Sequence, residues 1–93
     1  MDNIKKMLLS QYGYTEYEVT IAIKDIENLD NETKDKLHSF LNGENISDYY
    51  YKDFSVKSLI EEYDLNPISA LITISSLKND YDNLSRMLKK GFK

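Results

Sequence analysis

The side chains that most often carry catalysis are scarce in this chain of 93 residues. His38 is the only histidine, and no serine or carboxylate stands at a spacing diagnostic of a catalytic pair with it. Cysteine is absent, which excludes thiolate nucleophiles, cysteine metal sites and disulfides. The carboxylates form no D-x-D-x-D-G loop, and the glycines form no phosphate-binding loop. We therefore expect a protein that is not an enzyme, with no catalytic residue, cofactor or metal, and we interpret His38 as a residue at the core boundary.

Recognition chemistry is better represented, first in a run of three tyrosines. Tyr49, Tyr50 and Tyr51 are consecutive and lie between Asp48 and Asp53. Tyrosine offers a large, stiff and amphipathic contact area and is enriched at the energetic centres of protein interfaces. Three consecutive side chains cannot all point into a core. We call residues 48–53 the tyrosine loop and predict that it binds protein; the alternative is that these rings cap the edge of the core with their hydroxyls in water.

A second group of tyrosines, which includes Tyr12 and Tyr14, lies near the N-terminus. Tyr17 stands between Glu16 and Glu18, so an aromatic contact is flanked by carboxylates. Glu16 and Tyr17 are therefore further candidates for protein binding.

The charge is unevenly distributed. Residues 14–64 carry 13 acids and five lysines, a net charge of −8, whereas residues 78–93 carry a net charge of +3 and the whole chain −4. This balance disfavours a general nucleic-acid binder, which would be basic overall. It suits a partner with a basic surface, although acidic surfaces more often serve solubility. The densest acids surround one helix junction: Asp25, Glu27, Asp30, Glu32 and Asp35.

The basic C-terminal residues have a simpler interpretation. Arg86, Lys89, Lys90 and Lys93 lie in or beyond the last turns of a predicted helix, where they complement the helix dipole. Phosphate or anionic lipid is the alternative ligand for such a cluster.

These candidates need a scaffold, and residues 65–77 indicate its centre. This is the only long uncharged run in the chain. Asn66 is suited to cap a helix and Pro67 to occupy its first position. Apolar residues surround most of the helix 67–77, which is typical of a buried helix, and the 13 residues of the run 65–77 are too few to span a bilayer.

Residues 15–28 are ambiguous. Thr15 and Glu18 have the spacing of a capping box, and Val19, Ala22 and Ile26 recur as on one helical face. The same segment also alternates as a strand would, from Tyr17 to residue 23. The caps favour the helix.

Helical periodicity and caps also predict helices at residues 2–12, 30–42, 55–63 and 79–92. Leu37, Phe40 and Leu41 are expected to face inward from the third helix, and Leu84, Met87 and Leu88 from the last, where Phe92 would pack on Met87. The sequence thus predicts a single all-α domain, residues 1–93: a compact bundle of five to six short helices around the central apolar helix 67–77. The tyrosines are compatible with a short strand at 49–51.

Residues 55–77 resemble a helix-turn-helix of the winged-helix sort. Leu59 and Tyr63 match the inner face of the first helix, Leu65 the buried turn residue, and Ile74 and Leu77 the inner face of the second. Asp64 stands where such turns usually have glycine. The resemblance implies a DNA-binding regulator, but its second helix, 67–77, contains no Arg, Lys, Gln or His that could read base edges.

The sequence therefore favours a small, acidic, non-catalytic protein-interaction module, an adaptor or an inhibitor. Its partner would be another protein with a basic surface, for example a nucleic-acid-handling host protein if the chain belongs to a phage or mobile element. The strong preference for lysine over arginine fits such an AT-rich source. The absence of cysteine and of a signal-peptide core predicts a cytoplasmic protein without a membrane segment. Alternatives are the helix-turn-helix DNA-binding regulator and a homodimer that pairs through Leu71 and Ile72.

Overall fold

The computed structural model describes the backbone of residues 2–91 and the side chains of residues 3–90. Within this range the chain forms six α-helices and one two-stranded hairpin, so the predicted all-α bundle is confirmed. In chain order the elements are α1 (Asp2–Lys6), continued by a π-helical segment (Met7–Gln11), α2 (Glu16–Glu27), α3 (Asn31–Leu41), β1 (Tyr50–Tyr51), β2 (Phe54–Ser55), α4 (Val56–Tyr63), α5 (Pro67–Asn79) and α6 (Tyr81–Gly91).

Helix α5 lies at the centre of the bundle, as predicted. It contacts α2, α3, α4, α6 and β1. Its start follows from the local sequence, because Asn66 Oδ1 accepts a hydrogen bond from the Ser69 N–H at 2.8 Å and Pro67 occupies the first turn. Its core side chains are at most 1% exposed: Ile68, Ala70, Leu71, Ile74 and Leu77.

Residues 16–27 are helical, so the strand alternative for this segment is wrong. The predicted capping box is present: Thr15 Oγ1 accepts from the Glu18 N–H at 3.1 Å, and Glu18 Oε1 accepts from the Thr15 N–H at 2.9 Å. Val19, Ala22 and Ile26 are buried. The local caps therefore decide between two periodicities that the apolar pattern alone leaves open.

The N-terminal segment differs from the single α-helix expected at residues 2–12. After Lys6 it widens to a π-helix, in which the Tyr12 N–H donates to the Met7 carbonyl at 3.1 Å. The segment ends at Gly13, which has φ +71°, and the Tyr14 N–H then donates to the Leu8 carbonyl at 2.9 Å. This turn directs the Tyr14 hydroxyl to α5, where it lies 2.5 Å from Ser69 Oγ.

The strand predicted at 49–51 is present as β1, and it has an antiparallel partner, β2. Tyr50 pairs with Ser55 and Tyr51 with Phe54, so Lys52 and Asp53 form the turn. Lys52 has φ +53°, a backbone conformation that favours glycine. The hairpin leads directly into α4, where Ser55 and Ser58 form a capping box.

Two predicted inward-facing residues are exposed. Leu41, the last residue of α3, is 37% exposed, and Met87 in α6 is 62% exposed. Leu88 takes the buried position in α6 because the apolar stripe of that helix runs through Leu84 and Leu88, one turn apart. The expected contact between Phe92 and Met87 lies outside the described residues.

Candidate protein-binding surfaces

Tyr49 is a core residue, which corrects its prediction as a binding residue. Its side chain is 7% exposed. Its hydroxyl lies 2.7 Å from Thr33 Oγ1 and accepts a hydrogen bond from Lys78 Nζ at 2.8 Å. Tyr49 is buried because these two partners satisfy its hydroxyl inside the protein. It is therefore not available to a binding partner.

Lys78 is the centre of a polar cluster between α3 and α5. Its Nζ lies 2.9 Å from Asp30 Oδ2 and 2.7 Å from Glu32 Oε1. The Thr33 hydroxyl donates to Asp30 Oδ1 at 2.6 Å, and its backbone N–H donates to Asp30 Oδ2, which makes Asp30 the N-cap of α3. We call Asp30, Glu32, Thr33, Tyr49 and Lys78 the Lys78 cluster.

The Lys78 cluster shifts the pKa of its two half-buried charged groups, Asp30 and Lys78. Burial alone would raise the pKa of Asp30, but hydrogen bonds from Thr33, Lys78 and Ser75 hold it well below its usual value of 3.8. Burial alone would lower the pKa of Lys78, but hydrogen bonds with Glu32, Tyr49 and Asp30 raise it above its usual value of 10.5. Asp30 and Glu32 are thus both paired with Lys78, which compensates one of their two negative charges and reduces what they contribute to the predicted acidic docking surface.

Two other residues of the tyrosine loop, Tyr51 and Asp53, contact α6. Tyr51 is half-buried, with its ring edge-on to Tyr81 at a centroid distance of 6.1 Å. Asp53 forms a salt bridge with Lys89 at 2.8 Å and accepts a hydrogen bond from the Tyr81 hydroxyl. These two hydrogen bonds, with Lys89 the stronger cause, lower the pKa of Asp53 to about 2.

Lys52 joins the hairpin turn to α6. Its ammonium lies 4.3 Å from the centroid of the Tyr81 ring and 5.7 Å from that of Tyr51. The hairpin is therefore held to α6 by its turn residues. Asp48, Tyr50, Lys52 and Asp53 are the exposed residues of the tyrosine loop, and Tyr50 is 65% exposed.

Helix α2 exposes an aromatic and an aliphatic side chain next to each other. Tyr17 is 75% and Ile21 is 45% exposed, and they are one helical turn apart, on the side opposite the buried Val19 and Ala22. Glutamates and aspartate flank this pair on both sides of the helix, and the exposed Lys24 lies on the same side as the pair, three residues after Ile21. We call the following residues the α2 outer face: Glu16, Tyr17, Glu18, Ile21, Asp25 and Glu27, all of them exposed.

The structure places the predicted residues in two separate surfaces. Glu16 and Tyr17 lie on α2, whereas Asp48, Tyr50 and Asp53 lie at the hairpin. Both elements pack against α5, and none of the described hydrogen bonds or ring contacts joins them directly. Sequence reasoning missed Ile21. Its signal was the helical spacing of Tyr17 and Ile21, four residues apart and off the apolar stripe.

The two helices that resemble a helix-turn-helix are present as α4 and α5, with Asp64 in the left-handed conformation (φ +58°). Helix α5, however, exposes only Ser76 and Asn79. Its half-buried side carries Ser69, Ile72 and Thr73, none of them a long polar side chain that could read base edges, which argues against sequence readout by this segment. Leu71 is 0% exposed within one chain and is not available to a homodimer contact, whereas Ile72 is half-buried.

The remaining predicted chemistry can be located briefly. His38 is exposed on α3. Among the residues described, no group of three or more His, Cys, Asp or Glu side chains is arranged to hold a metal ion. None of the helices in residues 2–91 combines the length and hydrophobicity that a bilayer span requires. No protein-family model, curated protein or solved structure matches this chain.

Proposed function

We propose that this chain is a cytoplasmic, non-catalytic protein-interaction module, an adaptor or an inhibitor, that binds a basic partner through the α2 outer face. The observation that carries the proposal is the exposed pair Tyr17 and Ile21 among four carboxylates. Single exposed apolar residues are common on protein surfaces. A tyrosine and an isoleucine one turn apart, with acids around them, match an interface with an apolar centre and a charged rim.

The charge of this surface indicates the class of partner. Glu16, Glu18, Asp25 and Glu27 outnumber Lys24, the single base of α2. Unlike Asp30 and Glu32, these four carboxylates form no salt bridge within the described chain. A complementary partner presents lysines or arginines around an apolar depression. Proteins that handle nucleic acid carry such basic surfaces, and an acidic inhibitor could occupy them.

Partner capture followed by titration tests the proposal. The protein is immobilised, proteins retained from a bacterial extract are identified, and the purified partner is titrated against Tyr17→Ala and Ile21→Ala. Truncation of a central interface residue costs about 2 kcal/mol or more, so we expect about 30-fold weaker binding for Tyr17→Ala. Because Tyr17 is 75% and Ile21 45% exposed, the thermal stability of Tyr17→Ala should match that of the wild type and that of Ile21→Ala should be only slightly lower.

Tyr50→Ala is the matched control, since Tyr50 is a similarly exposed tyrosine on the hairpin. It should leave the affinity unchanged. If only Tyr50→Ala lost binding, the result would indicate that the interface lies at the tyrosine loop and not on α2. The proposal would be contradicted if Tyr17→Ala, Ile21→Ala and Tyr50→Ala all bound the partner as tightly as the wild type does. An extract that yields no specific partner would also contradict it.

Duplex DNA tests the alternative function, a DNA-binding regulator. We expect no retardation of genomic fragments at low salt. Retardation that disappears in Lys89→Ala/Lys90→Ala would instead support DNA binding through α6, because phosphate contacts depend on such charges.

A further inference from the structure

Helix α6 carries a basic stripe with an exposed methionine. Asn83, Arg86, Met87 and Lys90 are exposed and are spaced i, i+3, i+4 and i+7, so they share one side of the helix. Met87 is 62% exposed. Arg86 Nη2 donates to Asn83 Oδ1 at 2.7 Å, which directs the guanidinium towards the start of the helix. Lys89 lies off this stripe and is paired with Asp53.

Helix α2 carries a stripe of the opposite charge. Glu18, Ile21 and Asp25 are exposed and are spaced i, i+3 and i+7. The Glu18 carboxylate is already oriented by the capping box, through its hydrogen bond from the Thr15 N–H. Helix α2 has 12 residues and α6 has 11, or about 18 and 16 Å at 1.5 Å per residue, so the two could lie side by side along their whole lengths.

The two stripes match in an antiparallel register. Steps of three and then four residues lead from Glu18 to Ile21 to Asp25, and the same steps lead backwards from Lys90 to Met87 to Asn83. Lys90 would then face Glu18, Met87 would face Ile21, and Asp25 would face Asn83, beside which the Arg86 guanidinium lies. Glu18 would thus lie opposite Lys90 and Asp25 near Arg86, on either side of one apolar contact between Ile21 and Met87.

We propose that the α6 stripe of a second copy of this chain docks antiparallel on the α2 outer face. The inference rests on the proposed function, since it takes the α2 outer face to be a docking surface, and it names one occupant: the chain itself. A contact between two different surfaces of the same protein closes into a two-fold dimer if both contacts form together, and otherwise extends to larger assemblies. Self-association would compete with partner binding for the α2 outer face.

Charge reversal within one chain tests this pairing. Sedimentation equilibrium of the wild type should give an average mass above the 10.9 kDa of the monomer, falling back towards it as salt rises from about 0.1 to about 0.5 M. Asp25→Lys and Arg86→Glu should each weaken self-association by about tenfold or more. The double variant Asp25→Lys/Arg86→Glu restores opposite charges at the contact and the net charge of the wild type, so it should associate again.

Asp48→Lys and Lys57→Glu are the matched controls. They make the same changes of charge at exposed residues of the tyrosine loop and of α4, and they should associate as the wild type does. A wild type that stays monomeric at millimolar concentration, or single reversals that associate normally, would overturn the inference. So would a double variant that is no better than the singles. Loss of partner binding in Tyr17→Ala would still support the proposed function in that case, so the two failures are distinguishable.

Discussion

Ile74→Ala is expected to lower the free energy of unfolding by about 2–5 kcal/mol. Ile74 lies in the middle of α5 and is 0% exposed, with Leu71 and Leu77 beside it on the same buried face. Truncation to alanine removes apolar contacts and leaves a cavity, because the five elements packed around α5 cannot all shift to fill the space. Urea unfolding monitored by circular dichroism measures the loss as a lower midpoint at an unchanged slope.

Ile72→Ala is the matched control in the same helix. Ile72 is half-buried and lines the shallow groove between α2 and α5. Its truncation removes the same atoms from a site that solvent already reaches, so we expect a loss of about 1 kcal/mol. If Ile74→Ala, like Ile72→Ala, loses less than about 1 kcal/mol, α5 is not the centre of the bundle.

The position of α5 was predictable because its signals are local. Asn66 and Pro67 mark its start, and the absence of charge from residue 65 to residue 77 marks its burial. Thr15 and Glu18 likewise predict that residues 16–27 are helical rather than extended, since a capping box involves only four consecutive residues. Such features depend on neighbours in sequence, and no knowledge of the tertiary structure is needed to read them.

The burial of Tyr49 could not be predicted in this way. Three consecutive tyrosines are equivalent in sequence, and Tyr49 differs from Tyr50 only because its hydroxyl meets Thr33 and Lys78. Lys78 lies 29 residues further along the chain. Tertiary packing therefore selected which tyrosine is buried, and it left Tyr50 as the exposed aromatic residue of the tyrosine loop.

Tertiary contacts also decide which of the predicted surface acids are paired within the chain. Asp30 and Glu32 were grouped with Asp25 and Glu27 because all four are close in sequence. Lys78 pairs with the first two and compensates one of their two charges, whereas Asp25 and Glu27 remain exposed without a salt bridge in the described chain. Of the five acids around the predicted helix junction, Asp25, Glu27 and Asp35 thus remain without a salt bridge among the described residues, and the two on α2 lie on the same helix as the exposed Tyr17 and Ile21.

Lys78→Met is expected to lower the free energy of unfolding by about 1–3 kcal/mol. The substitution keeps the aliphatic length of the side chain but removes the ammonium that binds Asp30, Glu32 and Tyr49. Removing one partner leaves the other half-buried charge uncompensated, which costs more than the pair contributed. The side chains of Lys78 and Asp30 are 21% and 33% exposed, so the loss should be below that of a fully buried pair.

Asp30→Asn separates the charge of this carboxylate from its capping role, since asparagine also caps helices well. Because the pKa of Asp30 in the folded protein is below the 3.8 of the unfolded chain, its stabilising contribution is present above pH 3.8 and is lost as the pH falls below it. The raised pKa of Lys78 contributes stability that is complete below pH 10.5 and is lost as the pH rises above that value. Wild-type stability should therefore fall at both extremes.

Urea unfolding at a series of pH values measures both effects. The acid-induced loss of stability should be smaller in Asp30→Asn than in the wild type, and the alkaline loss should be smaller in Lys78→Met. The double variant Asp30→Asn/Lys78→Met should lose less than the sum of the two single losses, since neither charge is then left without its partner. Additive losses, together with an acid profile in Asp30→Asn that runs parallel to the wild type, would show that the two charges are not coupled and that other carboxylates govern acid unfolding.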